Sequence, residues 1–530
     1  MEFGRAFSSG RSAAVGHSGA VCASTPAASL AGYRMLQEGG NAADAIIAMA
    51  AALVVTEPTS NGLGSDLFAI ICKDGKLHGI NASGRAPAAI TAEAMRQKGN
   101  QTMPLLGWDP VTVPGMVRGW ADISGRFGRL GLKKALEPAI LLAQDGYAVP
   151  PIVAYFWGFA ASRLGGYEGF RRAFMPHGRA PRAGELFRHP GMAEALREIG
   201  ISGGESFYSG RLADAMADAS QKEGGYLTKN DLSSHVSEWV DPIGVNYRGY
   251  DVFEIPPNGQ GIVALMALNL LESCDLSGLS YDDPVRVNLI AEALRLSFAD
   301  AHERLCDPRF REVPVQRMLD KGYAAERASL ITRGKAMQEA PTGLPWRGGT
   351  VYLCAADADG MMVSLIQSNY MGFGSGIVIP EHGISLQNRG AGFSLVHGHP
   401  NELEPGKRPF HTIIPGFLMK DGAPLGPFGV MGGDMQPQGH VQLISSIVDM
   451  GLGPQSGIDM PRFRVSEGRK LHLEKGLGHI EGQMAEMGYE VSVEKTDAMF
   501  GGGQMIIRDA ESGAYTAGTE SRKDGIAIAF

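Results

Sequence analysis

Thr350 and Ser368 are two hydroxyl residues that the sequence itself brings together. Residues 351–356 and 361–368 alternate as two strands joined by Asp357-Ala358-Asp359-Gly360. A tight turn centred on Asp359 and Gly360 sets the register, so Thr350 falls opposite Ser368 or Asn369 at the open end of the hairpin. Hydroxyl pairs across strands are also common in purely structural sheets, so the pairing alone does not decide for catalysis. Gly432-Gly433 offers backbone that a reacting group can approach closely, or simply a turn. Cys354 shares a strand face with Thr350 and Tyr352, but Leu353 and Ala355 flank it, which reads as a packed core thiol. His397, His399, Glu402 and Glu404 are zinc-type ligands. They stand in a Gly/Pro-rich loop, where His-x-His is ordinary polar surface, so no metal or other cofactor is expected.

The elements that must position these residues follow from periodicity. Asn41 precedes an Ala/Ile/Met-rich run, residues 42–55, that reads as a buried helix. The turn-rich stretch from Glu57 to Asp66 leads into a strand at 67–72, and Lys73-Asp74-Gly75-Lys76 turns it back into 77–80. Helical patterns dominate from 110 to 309, including 285–298, with a β insertion at 245–255. Residues 334–349 read as a loop. After Thr350 the chain becomes strand-rich, with one helix around 438–450 that His440 opens. His440 reads equally as a substrate contact or a helix-start residue, and Asp434 and Gln436 as supports rather than chemistry.

Composition narrows the classes. Hydrophobic residues at 44% and charged residues at 20% describe a globular chain, and 530 residues exceed one folding unit. A net charge of -8 without Lys/Arg runs argues against nucleic acid or an anionic membrane as partner. The longest apolar run contains Asp44 and is too short to span a bilayer. Five scattered cysteines without CxxC spacing, and a start lacking the order of a secretory leader, lead to the expectation of a cytoplasmic protein without disulfides. No GxGxxG stretch lies between a strand and a helix, which removes a dinucleotide-binding enzyme.

Gly349-Thr350-Val351-Tyr352-Leu353-Cys354-Ala355-Ala356-Asp357 resembles the processing site of the gamma-glutamyltranspeptidase family. Gly39-Gly40-Asn41-Ala42-Ala43-Asp44-Ala45, Glu57-Pro58 with Gly62-Leu63-Gly64, Pro114-Gly115 and Tyr247-Arg248-Gly249-Tyr250 match in the same order. So do Phe373-Gly374-Ser375-Gly376, Lys407-Arg408-Pro409, Gly432-Gly433 and Pro461-Arg462-Phe463. The resemblance implies an α+β, four-layer αββα sandwich of the N-terminal-nucleophile hydrolase kind. It also implies a precursor that cuts itself between Gly349 and Thr350 into subunits 1–349 and 350–530, which stay together; dimers of such pairs are compatible with it. By the same resemblance Thr350 is the nucleophile and its freed α-amine the general base, with an unperturbed pKa near about 8. Ser368 matches a catalytic hydroxyl position, and Gly432 and Gly433 the oxyanion-hole glycines.

The substrate-gripping positions depart from the family. Its carboxylate-binding Arg falls at Ser83, with Arg85 two positions away; an Asn near the nucleophile is Tyr370; a Gln and an Asp that hold an α-amine become Arg389 and Gly392. Phe410, His411 and Thr412 displace its Ser-Ser pair, and Asn388 and His411 are further candidates for substrate contact. A cation in place of an acid repels a substrate ammonium and attracts a carboxylate. The expected substrate is therefore a small carboxylate-bearing amide, oxamate-like or glutaryl-type, with Arg389 or Arg85 as its anchor. This is closer to the oxamate amidohydrolase and acylase branch than to a gamma-glutamyltransferase or glutathione hydrolase, which is the second reading. A short segment between Phe393 and Lys407 implies an open site that favours hydrolysis over transfer. The reading from another class, an uncleaved ligand-binding pseudoenzyme, leaves Thr350, Ser368 and Gly432-Gly433 without a purpose.

Overall fold

The computed structural model describes residues 10–338 and 349–530. Most of the loop expected at 334–349 lies outside the described residues.

Alternation builds the centre. On the strand Gly349–Asp357 and its hairpin partner Met362–Tyr370, odd-numbered Val351, Leu353, Ala355, Val363 and Leu365 face one apolar layer. Even-numbered Tyr352, Cys354, Met362 and Ile366 face another. The first layer is closed by the helix Ala42–Thr56, every residue of which is buried. Asn41 starts this helix as expected. Its side chain accepts the N–H groups of Ala43 and Asp44, and Asp44 reaches back to the Asn41 N–H at 3.0 Å. Small residues allow close helix packing: a side-chain carbon at Gly32, on the neighbouring helix Pro26–Gln37, would meet Met49 at 2.5 Å.

The hairpin lies at the middle of a seven-stranded antiparallel sheet. Its order is Ile526–Ala529, Gly19–Ala23, Gly349–Asp357, Met362–Tyr370, Asp66–Lys73, Lys76–Ala82 and Glu238–Val240. Asp74 and Gly75 take the left-handed conformation that the turn at Lys73-Asp74-Gly75-Lys76 demands. A second antiparallel sheet runs Ala14–Gly16, Tyr515–Thr519, Gly502–Arg508, Ala423–Met431, Gly416–Lys420, Tyr250–Glu254 and Ile243–Tyr247. The expected β insertion supplies its edge. Phe417, Met431 and Ile506 meet the even face of the first sheet. On its other side the second sheet carries the helices Gly261–Glu272, Pro284–Arg304 and Met435–Met450.

Helix, sheet, sheet and helix give the four-layer αββα sandwich of an N-terminal-nucleophile hydrolase. Both sheets draw strands from before and after Thr350, so neither part of the chain completes a sheet alone. The helix expected from 438 begins at Met435, which places His440 inside it rather than at its start.

Candidate active site

The hairpin register resolves into a bulge. Gly349 pairs with Tyr370 but Val351 with Gln367, so Ser368 and Asn369 together oppose Thr350. A bulge of this kind re-aims side chains at the end of a ladder. Asn369 is held by Ser65 and Ser385, whose hydroxyls meet its amide at 2.8 and 3.1 Å. Thr350 Oγ1 donates to Ser368 Oγ at 3.1 Å, and both residues are buried. Ser368 Oγ also accepts the Tyr370 N–H at 2.8 Å and an Arg389 guanidinium N–H at 3.3 Å. The next strand places Asp66 beside Ser368 in register.

The Gly432-Gly433 turn joins the strand Ala423–Met431 to the N-terminus of the helix Met435–Met450. Both glycines have positive φ, 122° and 65°, which side-chain-bearing residues rarely adopt. The turn presents backbone at the positive end of a 16-residue helix, a setting suited to developing negative charge. Gln436, in the first turn of that helix, donates from Nε2 to Thr350 Oγ1 at 3.4 Å. Its Oε1 accepts the Ile414 N–H at 2.9 Å. Gln260 Nε2 ties the Gly433 carbonyl (2.9 Å) to that of Thr412 (2.7 Å). Two glutamines therefore clamp the glycine turn against Thr350. The sequence gives Gln436 no more than a supporting role, whereas the structure puts its amide on the Thr350 oxygen.

Arg389 is fully buried. Its guanidinium donates to Thr412 Oγ1 at 2.7 Å and Ser368 Oγ at 3.3 Å, and it lies 4.2 Å from the centre of the Tyr370 ring. Its Nε has no hydrogen-bond partner, and among the described residues no carboxylate lies within ion-pair distance of it. Burial brings Arg389 down to about 10, opposed by Asp66 and by Tyr370. Burial also pushes the Asp66 carboxyl up to about 6, against the pull of Arg389 and of the Gly84 and Gly115 N–H groups. His411 meets Asp66 Oδ2 through Nε2 at 3.1 Å, while its Nδ1 accepts the Ile413 N–H. Burial, reinforced by Arg389 and Arg408, holds His411 far below its ordinary value. The ring is thus neutral with its proton on Nε2, donated to Asp66.

The Gamma-glutamyltranspeptidase family profile matches residues 28–530. The chain belongs to the gamma-glutamyltranspeptidase family. It is 36% identical to the glutathione hydrolase-like YwrD proenzyme of Bacillus subtilis (strain 168), across 94% of this chain and 96% of that one. It is 33% identical to the oxamate amidohydrolase proenzyme of Klebsiella pneumoniae, across 95% and 97%. Among solved structures, the cephalosporin acylase from Bacillus halodurans superposes with a TM-score of 0.93 at 46% identity, covering 99% of this chain and 98% of that one. The protein is a hydrolase acting on amides, and these relatives named as proenzymes are made as precursors.

Other candidates of this gamma-glutamyltranspeptidase-family chain are engaged elsewhere. Arg85 is paired with Glu238 at 2.9 Å and Asp307 at 3.1 Å, and Ser83 bonds Asn81. Asn388 pins the Met371 N–H to the Leu105 carbonyl, so it braces the chain beside Tyr370. His440 is buried against Glu254 at 2.6 Å, inside the helix Met435–Met450. Asp434, raised to about 6 by burial with Arg464 opposing, stands at the glycine turn. Cys354 is buried opposite Cys22 across the strands, and burial raises its thiol well above the usual value, as a core residue requires. Glu402 pairs with Arg96, and Glu404 with Lys407. Asp66 and Gln260 are the residues that sequence reasoning left without a role; the only signal for Asp66 was its place at the head of a strand.

Proposed function

We propose that the protein is a self-processing amidohydrolase in which cleavage between Gly349 and Thr350 frees Thr350 to act as nucleophile. The products are subunits 1–349 and 350–530, held together by their shared sheets. The freed α-amine takes the Thr350 hydroxyl proton, Oγ attacks the amide carbon, and the backbone N–H groups of Gly432 and Gly433 receive the oxyanion. Amine leaves, an ester on Thr350 remains, and water hydrolyses it.

The observation that carries the substrate class is Arg389, a buried guanidinium bonded to Ser368 and lacking an anion among the described residues. A carboxylate on the acyl side of the substrate satisfies it. The name of the Klebsiella relative favours an oxamate-like amide, and the acylase name of the Bacillus halodurans structure favours cleavage at an acyl group. Names of glutathione hydrolases among the relatives favour the second reading, a γ-glutamyl substrate, but its α-ammonium would sit against Arg389. Intact mass spectrometry beside Thr350→Ala tests the core of this reading. The expected result is two fragments meeting at Gly349 and Thr350, and one uncut, inactive 56.2 kDa chain in the variant. An active variant, or a wild type that hydrolyses amides uncut, would overturn it.

A further inference from the structure

Gln436 is placed to do more than support. Its Oε1 is committed to the Ile414 N–H, which fixes the amide so that Nε2–H faces Thr350 Oγ1. Thr350 gives its own proton to Ser368, so the Gln436 N–H meets a lone pair of Oγ. At 3.4 Å this is a long bond to a neutral hydroxyl. Hydrogen bonds to charged oxygen are shorter and roughly twice as strong, so this contact gains strength only when Oγ carries charge. An interaction that strengthens in the transition state is one that accelerates.

We propose that Gln436 is a catalytic residue whose Nε2–H stabilises Thr350 Oγ as the leaving oxygen when the acyl-enzyme breaks down. This rests on the reading of Thr350 as nucleophile. In that step a water oxygen bonds to the ester carbon, and the Thr350 α-amine takes the water proton. The bond from the ester carbon to Oγ then breaks, its electron pair goes to Oγ, and the α-ammonium returns the proton there. Gln436 is unchanged at the end. The Gly432 and Gly433 N–H groups serve the carbonyl oxygen, so Gln436 supplies the donor for the other oxygen that becomes charged. The same donor acts in self-cleavage, which passes through an ester of Gly349 on the same Oγ.

The test uses a glutaryl p-nitroanilide and two variants, Gln436→Leu and Gln436→Glu. Gln436→Glu keeps an acceptor for the Ile414 N–H and removes the donor, so it stands in if Gln436→Leu fails to fold. With the donor lost, steady turnover falls about a hundredfold. A burst of one p-nitroaniline per site remains, and the 350–530 fragment carries the glutaryl group in acid-quenched samples. If Gln436→Glu stays uncut, hydroxylamine should release a fragment 1–349 ending in a hydroxamate, the sign of a stalled ester. Turnover within twofold of wild type, slow turnover without burst or adduct, or an uncut chain that hydroxylamine leaves intact would each overturn the proposal. Thr350→Ala run in parallel separates the two failures. If it is cut and active, the nucleophile reading fails; if it is uncut and inactive while Gln436→Glu is unaffected, only the role of Gln436 fails.

Discussion

Arg389 and Arg462 are both buried, at two places built on opposite plans. Arg462 and Arg522, between the helix Pro454–Asp459 and the C-terminal strands, are met by Glu520 and Glu474. Arg462 pairs with Glu520 at 3.0 Å and gives its other N–H groups to the carbonyls of Phe500 and Ile458. Arg389 has hydroxyls, an aromatic face and an unpartnered Nε. The first plan uses up the charge inside the fold. The second keeps it available, and a buried cation without a matching anion is costly unless something else repays it. That contrast distinguishes a structural ion pair from a binding site more firmly than residue type does.

The largest expected effects come from removing each arginine. Arg462→Met leaves Glu520 with Arg522 alone and takes the donor from the buried Phe500 carbonyl, and should destabilise by about 2–3 kcal/mol. Arg389→Met removes a charge that lacks a carboxylate partner within the described fold, so its stability should stay within about 1 kcal/mol of wild type. Its kcat/KM for a carboxylate-bearing amide should fall about 10- to 100-fold, the value of a charged hydrogen bond. Denaturant melts and substrate kinetics on the two variants check both halves. Equal destabilisation with no substrate-specific loss would erase the distinction.

The carboxylates of the two places should sharpen the comparison through opposite pH slopes. Glu520 is pushed up by burial, but Arg462 and Arg522 outweigh this and hold it down at about 2. A lowered pKa contributes stability above the unfolded value near about 4.5, lost as pH falls from there towards 2. Asp66 is raised to about 6, so the folded state holds its proton more tightly than the unfolded chain. Its contribution is most favourable below its unfolded value near about 4 and is lost as pH rises from there through 6. Asp66→Asn should therefore stabilise the protein at pH 7 by about 2–3 kcal/mol, the gain vanishing as pH drops below about 4. Chemical melts across that window check the sign. A gain independent of pH would mean that Asp66 is ionised at little cost.

Much of this site was legible because it hangs on one hairpin. Alternation and one Asp-Gly turn put Thr350 opposite Ser368 or Asn369, and the bulge makes both of them correct. The helix Ala42–Thr56 was legible for the same reason, since a capping box and an unbroken apolar run are local signals. Asp66 was not legible, because its meeting with Ser368 and His411 depends on pairing between strands some 300 residues apart. Gln260 has no role in the sequence reading and Gln436 only a supporting one, for a related reason. Their value lies in which backbone groups they touch across the glycine turn, and no periodicity encodes that.

Arg85 gives the smallest effect and the cleanest control. From the sequence Arg85 stands level with Arg389 as carboxylate anchor, since both lie near family substrate positions. In the fold its guanidinium is divided between Glu238, Asp307 and the Gly406 carbonyl, and it is partly exposed. Glu238 also has Arg309 and Arg408, and the Asp307 carboxylate also accepts the Arg408 N–H, so neither acid is stranded when Arg85 goes. Arg85→Ala should cost about 1 kcal/mol, the usual scale for a partly exposed pair. KM for the carboxylate substrate should stay within about twofold of wild type, a change too small to mark a lost charged contact. A KM increase as large as that of Arg389→Met would move the anchor to Arg85, and the contrast between paired and unpaired buried arginine would no longer locate the substrate.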